Sequence, residues 1–315
     1  MKKIILALAA AILSAGLMSA QDMATATETY NNGAELLSLG DKAAALASFQ
    51  EALKMGQACG EEGAELVANC KKVIPGIILS IGKEFYNKKS FDEALAKVDE
   101  AKAAAEAYGD QEILDEIVEL VPQINGAKNM FEANNAFKAK DFAAAAAAYR
   151  KVLDGDPANG NAALRLVQCL SNSGDIDGAK EALALAEANG QGENAKSVIG
   201  KALLKKAQAT LKAGKNAEVI ALAEESLQYD DNASAYYLAG SAASKLGKDA
   251  DAIEYYEKFL AADPDNKNAA AITFTIAALY QKSGNKAKAL ENYKKISSDA
   301  KFGAQAQQQI AALNK

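Results

Sequence analysis

Seven times along this chain a short turn is followed by the same spaced residues, and a chain built that way folds as an array of like units. The turn residues are Gly40, Lys89, Lys140, Gly174, Gly214, Gly247 and Gly284. Five positions after each stands a small residue: Ala45, Ala94, Ala145, Ala179, Val219, Ala252 and Ala289. Nine positions after stands a larger one, Phe49, Val98, Tyr149, Leu183, Tyr256 and Tyr293, with Ala223 the exception. Small residues let two helices approach, and the larger residue fills the space between them. Glycine at the turn takes the left-handed conformation that ends the first helix. Asp41, Asp141 and Asp175 follow their turns as caps for the second helix.

Composition agrees with an all-α chain. Half of the 315 residues are hydrophobic but only 6% are aromatic, because alanine, the best helix former, supplies much of the apolar count. The net charge is −6 and no long basic run occurs, which argues against nucleic acid as a partner. Histidine is absent, and with it the commonest general base and metal ligand. Cys59, Cys70 and Cys169 form no CxxC pair, so no zinc or iron–sulfur ligand set is expected, and no cofactor.

The first residues read as an address. Met1-Lys2-Lys3 precedes an apolar run from Ile4 to Met18, too short to span a bilayer comfortably, and Ser19-Ala20 precedes the polar Gln21. This pattern predicts a signal peptide over 1–20, cut between Ala20 and Gln21, similar to those of exported Gram-negative proteins. The remainder is then expected to be periplasmic or secreted, without membrane insertion.

Gaps between successive turns are 49, 51, 34, 40, 33 and 37 residues. A period near 34 built from helix–turn–helix units resembles the tetratricopeptide repeat. Seven residues before the turn the small family position is filled by Gly33, Gly82, Ala133, Ala207, Gly240 and Ala277, and twelve after it by Ala52, Ala101, Ala186 and Ser226. Pro157 and Pro264 stand where the family's proline closes the second helix. The resemblance implies an all-α solenoid of about seven hairpins. The two long gaps predict first helices lengthened at their N-terminal ends and kinked at Pro75 and Pro122, with an independent extra helix as the alternative. The expected division is therefore 21–125 with lengthened helices, a regular array over 126–300 and a capping helix over 301–315, amphipathic through Ala306, Ile310 and Leu313.

The same resemblance implies a partner site. In these families the first helix of each hairpin lines a concave channel that holds a peptide or protein. By position relative to the turn, the channel residues here are Met130, Asn134, Phe137, Arg165, Gln168, Lys201, Lys205, Gln208, Tyr237, Ser241 and Phe274. Asn134, Arg165, Lys201 and Lys205 partly resemble the clamp that some members close on a peptide's C-terminal carboxylate. Met130 replaces that clamp's first lysine and its second asparagine is missing. A mixed polar and aromatic peptide groove fits these residues better.

Other chemistry is less favoured. Cys59 and Cys70 straddle a turn and could pair in an oxidising compartment, but small buried hydrophobes are the simpler reading. Adjacent carboxylates such as Glu61-Glu62, Asp99-Glu100, Glu224-Glu225 and Asp230-Asp231 do not face one another on a helix. Nucleotide-binding, esterase and zinc-protease motifs are absent, so an enzyme is not expected. The two functional readings are an exported interaction scaffold, in envelope assembly or secretion, and a structural subunit that associates with copies of itself.

Overall fold

Left-handed backbone marks all seven expected turns. In the computed structural model, which describes residues 20–315, φ is positive at Gly40, Lys89, Lys140, Gly174, Gly214, Gly247 and Gly284. Each of these residues separates the two helices of a hairpin. The hairpins are α1 (Ala20–Ser38) with α2 (Lys42–Ala58), α3 (Ala64–Asn87) with α4 (Phe91–Tyr108), and α5 (Gln111–Lys138) with α6 (Phe142–Gly155). They continue with α7 (Gly160–Ser173) and α8 (Ile176–Ala188), then α9 (Gly192–Lys212) and α10 (Asn216–Leu227). The last two are α11 (Ala233–Lys245) with α12 (Asp249–Ala262) and α13 (Ala269–Lys282) with α14 (Lys286–Lys295), followed by α15 (Gly303–Leu313). Among the described residues there is no strand, so the fold is an all-α helical repeat. The expected signal peptide lies outside the described residues except for its last, Ala20, which opens α1.

Side-chain caps start the second helices as the sequence demands. Asp41, Asp141 and Asp175 accept hydrogen bonds from the backbone N–H groups of Ala44, Ala144 and Gly178 at 3.0, 3.1 and 2.9 Å. Asn285 does the same for Lys288 at 3.1 Å. Each bond satisfies a donor that the helix cannot pair internally. α6 and α12 end two residues before Pro157 and Pro264, whose rings cannot continue a helix.

Contacts divide the chain into two units, residues up to Asn129 and residues from Met130. In the first, α1 packs on α2, α2 on α3 and α3 on α4 around Phe49, Leu53, Ile74, Ile78 and Val98. Pro75 and Pro122 lie inside the continuous helices α3 and α5, of 24 and 28 residues. Proline removes the bond to the carbonyl four residues back. For Pro122 that is Val118, on the exposed side of the helix. The turn Gly60–Gly63 is a short 3-10 segment leading into α3.

In the second unit each second helix packs against the first helix of the next hairpin, and α14 against α15. α7 also touches α9, and α9 touches α11, so these three first helices lie side by side. The repeat positions form the core. The small residues five after each turn are completely buried in all seven hairpins. Seven before the turn, a β-carbon added to Gly240 would sit 2.8 Å from the Tyr256 ring. The close approach of α11 and α12 therefore requires glycine there. Ser226, buried in α10, donates its hydroxyl to the carbonyl of Gly200 at 2.9 Å, so its polarity costs little.

The three cysteines are unpaired, Cys70 and Cys169 fully buried and Cys59 partly exposed. Burial pushes the thiols of Cys70 and Cys169 up to about 11. At pH 8 both stay protonated and shielded. Ellman's reagent should thus react quickly with one thiol in the native protein, and with all three in guanidinium. Fast native labelling of two or more would contradict this packing.

Two glycine substitutions should move stability in opposite directions. Gly126 in α5 is exposed with nothing near its missing β-carbon, so Gly126→Ala should stabilise by about 0.5–1 kcal/mol through helix propensity. Gly240→Ala gains the same propensity but forces Tyr256 aside, at a cost of about 1–3 kcal/mol. Thermal denaturation should show a raised midpoint for the first variant and a lowered one for the second.

Candidate functional site

The cleft between the end of α5 and α7 brings together residues that lie far apart in sequence. It encloses about 510 Å3 and is lined by Met130, Asn134, Tyr149, Asn159, Asn161, Leu164, Arg165 and Gln168. Four of these, Met130, Asn134, Arg165 and Gln168, carry the expected channel positions. Phe137, a fifth, lies under the Arg165 guanidinium, 4.5 Å from carbon to ring centre, and packs edge-on against Phe142 at 5.8 Å. The ring's negative face holds the cation in place without neutralising it. Arg165 also donates to Gln168 Oε1 at 3.0 Å, one turn further along α7.

The cleft offers amides and one cation above an apolar floor. Asn134 accepts a hydrogen bond from the Tyr149 hydroxyl at 2.9 Å. Burial holds the Tyr149 phenol above its usual range, so it remains a donor at neutral pH. Asn159 caps α7 through the N–H of Ala162 at 3.0 Å. Amides that both donate and accept can pair with an extended peptide backbone, and Arg165 can pair with a carboxylate.

The other expected channel residues lie elsewhere. Lys201, Lys205 and Gln208 are exposed on α9. Tyr237 on α11 is 38% exposed and rests on Tyr256 and Phe259, at 6.4 and 5.7 Å between ring centres. Ser241 bonds the Tyr256 phenol. Phe274 sits between Tyr293 and Phe302, at 5.2 and 5.9 Å, and belongs to the packing beneath the last helix rather than to an open channel.

Tyr149, Asn159, Asn161 and Leu164 were absent from the expected set. Asn159 reads as a helix cap and Tyr149 as a core filler, and each also faces the cleft. The signal for Tyr149 was a recurring pair. A polar residue six before the turn meets a tyrosine nine after it, Asn134 with Tyr149 and Ser241 with Tyr256.

A second cleft, of about 320 Å3, is lined by Glu224, Leu227, Tyr236, Asp251, Glu254, Tyr255 and Lys258. Most of its polar groups are already engaged. The Tyr255 hydroxyl donates to Glu224, Tyr236 donates to Asp231 at 3.1 Å, and Lys258 meets Glu254 at 2.7 Å. Neighbouring Glu225 points elsewhere and pairs with Lys180. Among the described residues, no group of three or more His, Cys, Asp or Glu side chains could hold a metal ion. No described helix is long and apolar enough to cross a membrane.

Comparison with known proteins follows the helix pattern. No curated protein matches the chain. The crystal structure of MamA protein is 23% identical, covering 57% of this chain and 94% of that one, with a TM-score of 0.35. The tetratricopeptide domain of P58(IPK) is 15% identical over 92% of this chain and 97% of that one, with a TM-score of 0.29. A tetratricopeptide repeat protein from Parabacteroides merdae ATCC 43184 is 13% identical over 94% of this chain and all of that one, with a TM-score of 0.27. None of these likenesses transfers a ligand to this chain. Models of the tetratricopeptide repeat match residues 136–202, the stretch that contains Arg165 and α7, and residues 233–266, which hold α11 and α12. The chain therefore carries tetratricopeptide repeats.

Proposed function

We propose that this protein is a non-enzymatic, exported scaffold that holds a peptide segment or a protein partner on the first-helix face of its second unit. Tetratricopeptide repeat proteins mediate protein–protein interaction. The observation that carries the reading is the cleft of Met130, Asn134, Arg165 and Gln168, whose amides and single cation suit an extended peptide. Export rests on the leader, two lysines, a short apolar run and Ser19-Ala20, and places the partner in the periplasm or outside the cell. A role in envelope assembly or secretion is the family-level reading of a scaffold in that compartment.

The test fills the cleft. Gln168→Trp places an indole among Met130, Asn134 and Arg165 without touching the buried core. Proteins retained by the immobilised wild-type chain from an envelope extract should bind the variant at least about tenfold more weakly. Unchanged retention would remove the groove reading. Light scattering over a range of concentrations separates the self-associating subunit: a mass that rises with concentration would favour it. Intact mass of protein from the native host should correspond to a chain beginning at Gln21.

A further inference from the structure

The three middle hairpins of the second unit, α7 to α12, are electrically lopsided. α7, α9 and α11 together carry seven Lys and Arg residues and one carboxylate, Glu193. Their partners α8, α10 and α12 carry ten carboxylates and two lysines. Within these three hairpins of a chain of net charge −6, the cations are thus gathered on the first helices, which lie side by side.

Four of the five cations of α9 are unneutralised. Lys196 meets Glu187 at 3.1 Å and Glu193 at 3.4 Å. Beyond it Lys201, Lys205, Lys206 and Lys212 are exposed, and among the described residues none has a carboxylate partner. Lys201, Lys205, Gln208 and Lys212 follow helical spacing and share one face. Like charges one turn apart oppose the helix. The register also fits the cleft. Counted back from their turns, Lys201 and Lys205 hold the places that Asn161 and Arg165 hold in α7, and Gln208 that of Gln168. In the hairpins of α7 and α9 the residue nine after the turn is Leu183 or Ala223, with no hydroxyl to occupy Gln168 or Gln208.

From this charge complementarity we infer that the face of α7 and α9 binds an acidic polypeptide segment, whose side-chain carboxylates pair with Arg165, Lys201, Lys205 and Lys212 while the amides hold its backbone. This rests on the proposed groove and names the chemistry of its occupant. A polypeptide fits better than nucleic acid, because a long polyanion would meet the carboxylates of α8, α10 and α12 and a negative protein overall.

Fluorescence anisotropy on the full chain tests it with a short, C-terminally amidated peptide alternating Glu with Leu and Ala, its Gln and Lys counterparts, and oligo-dT of equal length. The Glu peptide should bind about tenfold more tightly than the Gln peptide, and less so as salt rises. Lys201→Gln with Lys205→Gln should remove that preference while leaving the melting midpoint unchanged or raised. Lys201→Glu with Lys205→Glu should shift preference to the Lys peptide. Equal binding of Glu and Gln peptides, a Gln double variant that keeps the preference, or tighter binding of oligo-dT would overturn the inference. Loss of captured proteins on Gln168→Trp with no effect of the lysine variants would sink the acidic segment alone. No effect of either would sink the groove as well.

Discussion

Everything in this protein depends on how closely the two helices of a hairpin can approach. At the crossing of α11 and α12 the first helix offers no side chain at all, because a β-carbon on Gly240 would meet the Tyr256 ring at 2.8 Å. Gly33 against Phe49 and Gly82 against Val98 repeat the arrangement with looser contacts of 3.3 and 3.4 Å. One thin helix pair cannot cover its own apolar side. It must share its core with the next pair, which sets the first helices of successive hairpins beside one another. The exposed face of that row is where the cleft and the lysines lie.

The same geometry separates structural from available polar groups. Asn134 lines the cleft and Ser241 holds the same repeat position on α11, yet each is tied to the tyrosine of its own hairpin. Where that tyrosine is replaced by leucine or alanine, the equivalent glutamines are left to bond other groups, as Gln168 does with Arg165. Loss of one core phenol thus converts an internal hydrogen-bonding position into a surface one. Adjacent carboxylates behave in the same divided way: Glu224 accepts from Tyr255 and Glu225 pairs with Lys180, two partners on different helices. This acidic pair is consumed by packing, whereas Lys201, Lys205, Lys206 and Lys212 of α9 are not.

Much of the fold was legible in the sequence because the signals are local. Left-handed turns, aspartate caps and terminal prolines act within a few residues, so Gly174 with Asp175 or Asp263-Pro264 reveal helix ends without any tertiary information. Around Pro75 and Pro122 the apolar spacing continues, and α3 and α5 run through both prolines as single helices. Of the channel residues, Met130, Asn134, Phe137, Arg165 and Gln168 do gather in one place. Phe274 packs against Phe302, which precedes the last helix and is not part of any repeat, so its surroundings were not legible from the repeat pattern.

By itself, then, the sequence determined the helical hairpins, their turns and the small-to-large contact inside each, since these depend on residues within one repeat. Only the tertiary structure decided which outward positions converge. Tyr149 and Asn159 join the cleft, and Arg165 settles over Phe137, because α7 packs against α6 of the preceding hairpin, a contact that no single repeat encodes. Spacing along a helix fixes the direction of a side chain, but what it faces is fixed by the neighbouring hairpin.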